Sequence, residues 1–226
     1  MKNILFFALL SFFSVSLLGQ EAQYTSTEDS DPQATAALEK LRKKYDGYQS
    51  LEVDFRLEIA IPEQPVETQK GSLTRQGDKY RMNLASYSAI SDGTAIWLIL
   101  HNNKEVQIND IPEADESNSI LSPQAIMSLY ENGDYVYLLT NEFAENGTVV
   151  QQIEFKPLDP YSEYSKLRMT IDKKGNDLVR VKAFAKDGSR YTFYMDKLMP
   201  NKKYEVGHFS FREADYPDYY VEDLRE

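Results

Sequence analysis

The alternation of apolar and polar side chains predicts long β-strands through most of the chain. In residues 51–61, LEVDFRLEIAI, every odd position is apolar, and a period of two is typical of a strand with one buried face. Eleven residues at about 3.3 Å each extend about 35 Å, which exceeds the usual strand length. Strands of this kind occur in large, curved antiparallel sheets with one dry face.

Further strands follow, separated by turns. Asn146-Gly147, Lys174-Gly175 and Asp187-Gly188 are turn sequences, and successive hairpins form an antiparallel meander. The faces of residues 178–195 cannot be distinguished, because apolar side chains occur on both sides. The predicted strands after the first are 71–73, 79–84, 96–100, 105–108, 135–140, 149–155, 167–171, 178–184, 191–195 and 204–211.

The segment AIWLILHNNKEVQI, residues 95–108, predicts one hairpin. Asparagine tolerates positive φ, so we expect Asn102-Asn103 to form a two-residue turn that sets the register. In that register one face is apolar on both strands and is expected to point inward; it pairs Trp97 with Ile108 and Ile99 with Val106. The opposite face leaves three apolar side chains without a clear role: Ile96, Leu98 and Leu100.

The spacing is helical near the start of the chain. Asp31 can cap a helix that has Pro32 at its first position, and Gly47 can end it. An apolar stripe gives this helix one face to bury, and its residues are Ala36, Ala37, Leu38, Leu41 and Tyr45.

A second helix is predicted in SPQAIMSLYENG, residues 122–133, capped by Ser122, begun by Pro123 and ended by Gly133. A helix of about three turns with apolar residues on more than one side has more apolar surface than one sheet face covers. Methionine suits an adaptable contact and also fills gaps in cores. The apolar residues are Ile126, Met127, Leu129 and Tyr130.

The N-terminus has the pattern of a secretory signal peptide. MKNILFFALLSFFSVSLLGQ places one lysine before an apolar run, and the run is shorter than the roughly 20 residues that span a bilayer. We expect residues 1–19 to be the signal peptide, residues 20–30 a flexible N-terminus and residues 31–226 a single domain. The chain has no cysteine, so we expect an exported protein that is not lipid-anchored.

Composition argues against several classes of function. A formal net charge of −11 makes nucleic acid an implausible partner. The chain lacks thiols, a nucleophile elbow and a phosphate loop, and it has only two histidines, His101 and His208, so we expect no catalytic site, metal or cofactor. An envelope hydrolase stays open as one alternative. Another is a non-catalytic envelope module that binds carbohydrate or protein, with an aromatic platform of Tyr216, Tyr219 and Tyr220.

Segments spread over nearly all of the mature chain resemble the LolA-type outer-membrane lipoprotein carriers, which are soluble periplasmic chaperones of acylated lipoproteins. ISDGTAIW (90–97) and the FSF that begins FSFREADYP (209–217) are the most characteristic pair. The ordered series completes the resemblance: LEVDFRLEI (51–59), GSLTRQGDKYRM (71–82), SPQAIMSLY (122–130), MTIDKKGN (169–176) and KDGSRYTFYM (186–195).

The resemblance implies a mainly β fold with a few helices: an unclosed, strongly curved antiparallel β-barrel with helices covering the opening as a lid. Acyl chains would enter an apolar cavity, and the helix with Ile126, Met127, Leu129 and Tyr130 would belong to the lid. The cavity residues implied are Phe55, Leu57, Tyr80, Met82, Trp97, Ile99, Val106 and Ile108.

The resemblance also implies partners. A periplasmic monomer would take acylated lipoproteins from an inner-membrane lipoprotein-releasing transporter to an outer-membrane acceptor of unknown identity. In the family, the arginine of an Arg-Pro pair bonds the lid shut; here that place reads Gly77-Asp78, which leaves Arg75 and Lys79 as candidates for the latch. The chain ends soon after residues 223–225, so we expect no extra C-terminal strand of the kind that some members have.

Overall fold

The computed structural model describes residues 26–111 and 133–225, which form one sheet, one α-helix and two short 3-10 turns. Helix α1 spans Pro32–Asp46, and the turns span Thr27–Asp29 and Glu213–Asp215. The strands are β1 (Leu51–Ala60), β2 (Glu67–Gln76), β3 (Lys79–Asn83), β4 (Tyr87–Ser91), β5 (Ala95–Leu100), β6 (Glu105–Asp110), β7 (Tyr135–Glu145), β8 (Thr148–Pro157), β9 (Tyr164–Asp172), β10 (Asp177–Ala185), β11 (Arg190–Pro200) and β12 (Tyr220–Asp223).

All of these strands belong to a single curved sheet that does not close. Their order is β12-β6-β5-β4-β3-β2-β1-β11-β10-β9-β8-β7. Neighbouring strands are antiparallel except for β12, which runs parallel to β6. The prediction of an unclosed, mainly antiparallel β-barrel is confirmed.

Helix α1 packs against one face of this sheet, which we call the inner face; the opposite side is the outer face. Asp31 caps the helix as predicted, because its carboxylate accepts a hydrogen bond from the backbone N–H of Gln33 at 2.7 Å. The predicted stripe is wrong at Ala36, which is exposed. The residues that the helix buries are Ala34, Leu38, Leu41 and Tyr45, and they share one core with Leu51, Val53 and Phe55 of β1.

A β-bulge in β10 explains why residues 178–195 show no simple alternation. Leu178 lies opposite Ile171 and Arg180 lies opposite Thr170, so Val179 has no counterpart on β9. A bulge of this kind shifts the following side chains to the other face. Leu178 and Val181 are therefore both buried although they are three residues apart. Two further residues have no counterpart on a neighbouring strand: Ser165 of β9 on β10, and Asp196 of β11 on β1.

The predicted turns lie at the expected positions, but not all of them have the expected backbone conformation. Asn146-Gly147 forms the predicted two-residue turn, and both residues have positive φ, 50° and 80°. The β5–β6 register is as predicted. Its loop, however, comprises residues 101–104, and the residue with positive φ there is Lys104, at 51°, not Asn102 or Asn103.

The C-terminal segment differs most from the prediction. Residues 204–211 do not form a strand; they cross the outer face, where side chains satisfy the backbone. The Arg81 guanidinium donates a hydrogen bond to the carbonyl of His208 at 3.0 Å, and the Tyr204 hydroxyl donates to the carbonyl of Leu51 at 3.0 Å. The chain then adds β12 beside β6, so the expectation of no extra C-terminal strand is wrong.

Candidate functional site

The structure places the predicted cavity residues on both faces of the sheet. Leu98 is in register with Ala89, which is opposite Met82, and Met82 is opposite Leu73. Since side chains directly opposite each other share a face, this row belongs to the inner face with Val53, the partner of Leu73. The alternate positions of β5 and β6 point to the outer face; they are Trp97, Ile99, Val106 and Ile108. The prediction that they point inward is wrong.

A second, small core occupies the outer face at these residues. The ring of Trp97 stacks on Phe211, with centroids 5.9 Å apart and planes 13° apart. The buried members are Ile90, Ile99 and Val106, and the half-buried residues packed against them include Tyr216, Tyr219 and Val221. This part of the predicted cavity is therefore covered by the protein's own C-terminal segment.

The predicted aromatic platform is absorbed into the same small core. Tyr216 and Tyr219 meet at an interplanar angle of 72°, and Tyr216 stacks on Phe211. Only Tyr220 of the three is largely exposed. The three rings do not form one open surface for a sugar.

Four of the predicted cavity residues do lie on the inner face: Phe55, Leu57, Tyr80 and Met82. Phe55 is buried and stacks on Phe193 with centroids 4.8 Å apart. Its ring lies directly over Gly71 of β2, where any Cβ would overlap it. Tyr80 and Met82 are half-buried at the border of the core.

Three residues of β5 complete this apolar inner face and are absent from the predicted site: Ile96, Leu98 and Leu100. They alternate with Trp97 and Ile99, and all three are half-buried. The unbroken apolar run 96–100 could have identified these three residues as part of the site, since a strand that is apolar at consecutive positions is covered on both faces. Other half-buried apolar residues packed against the inner core are Leu139, Met195 and Leu198.

Seven half-buried tyrosines also pack against the inner core: Tyr48, Tyr80, Tyr87, Tyr135, Tyr137, Tyr164 and Tyr191. Burial raises the pKa of Tyr80 and Tyr87 above the ordinary value. Burial, with Asp134 and Tyr164 nearby, raises the pKa of Tyr135 to about 12. The phenols of Tyr80, Tyr87 and Tyr135 therefore stay neutral and add polar but uncharged groups to the inner face.

The two latch candidates also lie on different faces. Arg75 is in register with Leu51 and Tyr80, both of the inner face. Lys79, one position before Tyr80, lies on the outer face, and its Cγ is 3.8 Å from the place of a Cβ on Gly93 in the β4–β5 turn. The four lid residues, Ile126, Met127, Leu129 and Tyr130, lie outside the described residues.

The histidines serve as hydrogen-bonding groups on the sheet. His101 bonds with the hydroxyls of Ser88 at 2.9 Å and Tyr219 at 3.2 Å, and His208 with Thr74 at 3.0 Å. Within residues 26–111 and 133–225, no group of three or more His, Asp or Glu side chains is arranged to hold a metal ion. No helix in these two ranges has the length and apolarity needed to cross a membrane.

Comparison with known proteins gives a family match. A family model described as "Outer membrane lipoprotein carrier protein LolA" matches residues 46–212. A search of curated proteins found no match.

The fold is similar to solved structures of low sequence identity. An uncharacterized conserved protein from Thermus thermophilus has a TM-score of 0.55 at 9% identity, covering 84% of this chain and 99% of that one. A putative outer membrane lipoprotein-sorting protein domain from Vibrio parahaemolyticus has 0.43 at 15%, covering 78% and 97%. The Mycobacterium tuberculosis lipoprotein LppX has 0.44 at 15%, covering 78% and 100%.

Proposed function

This chain belongs to the LolA family of outer membrane lipoprotein carrier proteins, and on that premise we propose that it binds the acyl chains of lipoproteins on its inner face and carries them from the inner to the outer membrane. The lipoproteins, a releasing transporter in the inner membrane and an acceptor at the outer membrane are its proposed partners. We propose a monomer that is exported to the periplasm, with residues 1–19 removed.

One observation supports this proposal above all: apolar side chains remain partly accessible on the inner face beside the core that α1 completes. These side chains belong to β5 and are Ile96, Leu98 and Leu100. Along the sheet, β5 is separated from the core that α1 covers, and Met82 of β3 lies between the two. Apolar residues that stay accessible side by side are typical of a binding surface. An acyl chain lying along β5 would cover them.

The physical chemistry of acyl chains explains why such a carrier needs partners and no catalytic group. Each buried methylene contributes about 0.8 kcal/mol, so a chain of about fifteen methylenes is stabilised by about 12 kcal/mol when it leaves water. Release into solvent is then very slow. The lipid has to pass directly from a donor to another apolar site, which accounts for a transporter at one membrane and an acceptor at the other.

Ile126, Met127, Leu129 and Tyr130 are proposed to cover the bound chains, with their predicted helix as the lid. Of the two latch candidates, Arg75 has the suitable position because it lies on the inner face. In the described part of the chain, no hydrogen bond or ion pair engages its guanidinium. We propose that this group fixes the lid.

A charge on β5 tests the proposal. Leu98→Glu places a carboxylate among the apolar residues of the inner face, and Val66→Glu adds the same charge at a loop position that is 60% exposed. We expect Leu98→Glu to abolish displacement of a fluorescent fatty-acid probe by a purified lipoprotein and to remove lipoprotein from the protein as isolated from cells. Val66→Glu should behave as wild type. Normal lipoprotein binding by a folded Leu98→Glu protein would refute the proposal.

A further inference from the structure

Three tyrosines gather at one end of the inner face, on alternate strands. Tyr135 of β7 lies opposite Pro157, Tyr164 of β9 opposite Ala185, and Tyr191 of β11 opposite Ala183. Alternate strands are about 10 Å apart, and Tyr191 is displaced from Tyr164 by two further residues along β10. We call Tyr135, Tyr164 and Tyr191 the phenol row.

The hydroxyls of the phenol row are unused by the protein and open to the surroundings. Within the described residues, no side-chain hydrogen bond is formed by any of the three. In that part of the chain, Nε of Arg168 is the one side-chain nitrogen or oxygen atom that is both fully buried and without a hydrogen-bond partner. The three phenol oxygens therefore keep accessible surface although their rings are half-buried.

The electrostatics of the row select the kind of group that it can bind. Burial, followed by Glu163, Tyr191 and Asp187, raises the pKa of Tyr164, and Tyr135 is affected in the same way by burial and Asp134. Tyr135 and Tyr164 therefore remain protonated donors, and the carboxylates nearby repel an anion. The matching group is a neutral hydrogen-bond acceptor.

A purely hydrocarbon guest would leave the three donors without partners, which is unfavourable in an apolar site. Ester carbonyls are neutral acceptors, and they are attached to the acyl chains that the inner face is proposed to bind. We propose that the phenol row donates hydrogen bonds to the ester carbonyls of an acylglycerol group, so that the protein prefers ester-linked lipids to ether-linked lipids with the same chains. This inference rests on the proposed function, and it adds the chemical class of the bound group.

The test compares two competitors that differ only in the carbonyls. Dioleoylglycerol and its dialkyl ether analogue are titrated against a fluorescent fatty-acid probe bound to the delipidated protein. One hydrogen bond to a neutral group changes affinity by about two- to tenfold, so we expect the diester to bind at least several-fold more tightly. The triple variant Tyr135→Phe, Tyr164→Phe, Tyr191→Phe should bind both competitors alike. Tyr161→Phe, at a position that is 91% exposed in the β8–β9 loop, should keep the preference.

Each result has a separate meaning. Equal affinity of the wild-type protein for both competitors would overturn the role of the phenol row and leave acyl-chain binding intact. A preference for the diester that survives in the triple variant would also overturn it. If neither competitor displaces the probe and Leu98→Glu retains lipoprotein, the proposed function fails and the inference fails with it.

Discussion

The indole of Trp97 stacks on the ring of Phe211, with centroids 5.9 Å apart, on the face of the sheet opposite helix α1. This contact joins β5 to a segment more than a hundred residues later in the chain. It fixes the C-terminal segment across the outer face and leads it to the sheet edge, where β12 pairs with β6. The contact also explains why β5 is apolar on both faces: one face packs on the C-terminal segment and the other carries Leu98.

Trp97 is therefore expected to stabilise the fold and not to bind lipid. Trp97→Ala should lower the free energy of unfolding by about 2–4 kcal/mol, near the lower end of values for buried aromatic residues because the ring is half-buried. Urea unfolding measures this loss. Phe211→Ala should cost a similar amount, and the double variant less than the sum, because the two rings share one contact. A Trp97→Ala protein of unchanged stability that no longer binds the fatty-acid probe would place the indole in the lipid site.

Local patterns in the sequence predicted most of the strands, but they missed β4 and β12, placed a strand at 204–211 where there is none, and did not show which face of each strand points inward. The period of two in 51–61 and the Asn146-Gly147 turn depend on neighbouring residues only, and both are confirmed. The direction of Trp97 depends on Phe211, and no local pattern reveals a contact over that distance. The bulge at Val179 breaks the alternation for a related reason, since the pairing with β9 creates it.

Gly71 is expected to be required because the Phe55 ring lies on its backbone. In Gly71→Ala, the new Cβ would overlap this ring and would lie 2.7 Å from the carbonyl oxygen of Asn83. Overpacking of this kind costs about 1–3 kcal/mol, and denaturant unfolding should show the loss. Adding Phe55→Leu should restore part of the stability, but not all, because the Asn83 carbonyl belongs to the backbone and cannot move aside. Wild-type stability in Gly71→Ala would show that Phe55 lies elsewhere.

Glu154 should make the stability of the protein depend on pH in acid. Burial opposes its ionised form, but hydrogen bonds from Arg168 at 2.9 Å and Lys166 at 3.0 Å outweigh burial and hold the pKa of Glu154 below its ordinary value. Because the pKa of Glu154 is lower in the folded protein than in the unfolded chain, the ionised carboxylate stabilises the fold. This stabilisation is complete above the unfolded pKa of about 4.3. It is lost as the pH falls from there through the folded pKa.

The variant Glu154→Gln isolates this contribution. It should lower the free energy of unfolding at neutral pH by about 1–3 kcal/mol, because Arg168 and Lys166 lose their charged partner. Below pH 4 the difference between variant and wild type should shrink. Unfolding curves measured from pH 7 to pH 3 test this, and a difference that stays constant over that range would contradict the assigned hydrogen bonds.

Arg75 and Lys79 provide a matched pair for the proposed latch, since they carry the same charge four residues apart but on opposite faces. Arg75→Gln should increase the rate at which a bound fluorescent fatty acid leaves the protein by several-fold, because the guanidinium on the inner face would no longer hold the lid closed. Lys79→Gln should leave that rate unchanged, because Lys79 lies beside the β4–β5 turn on the outer face. Stopped-flow transfer of the probe to acceptor vesicles measures both rates. Equal rates for wild type and Arg75→Gln would remove Arg75 from the latch, and a faster rate in Lys79→Gln alone would reverse the assignment.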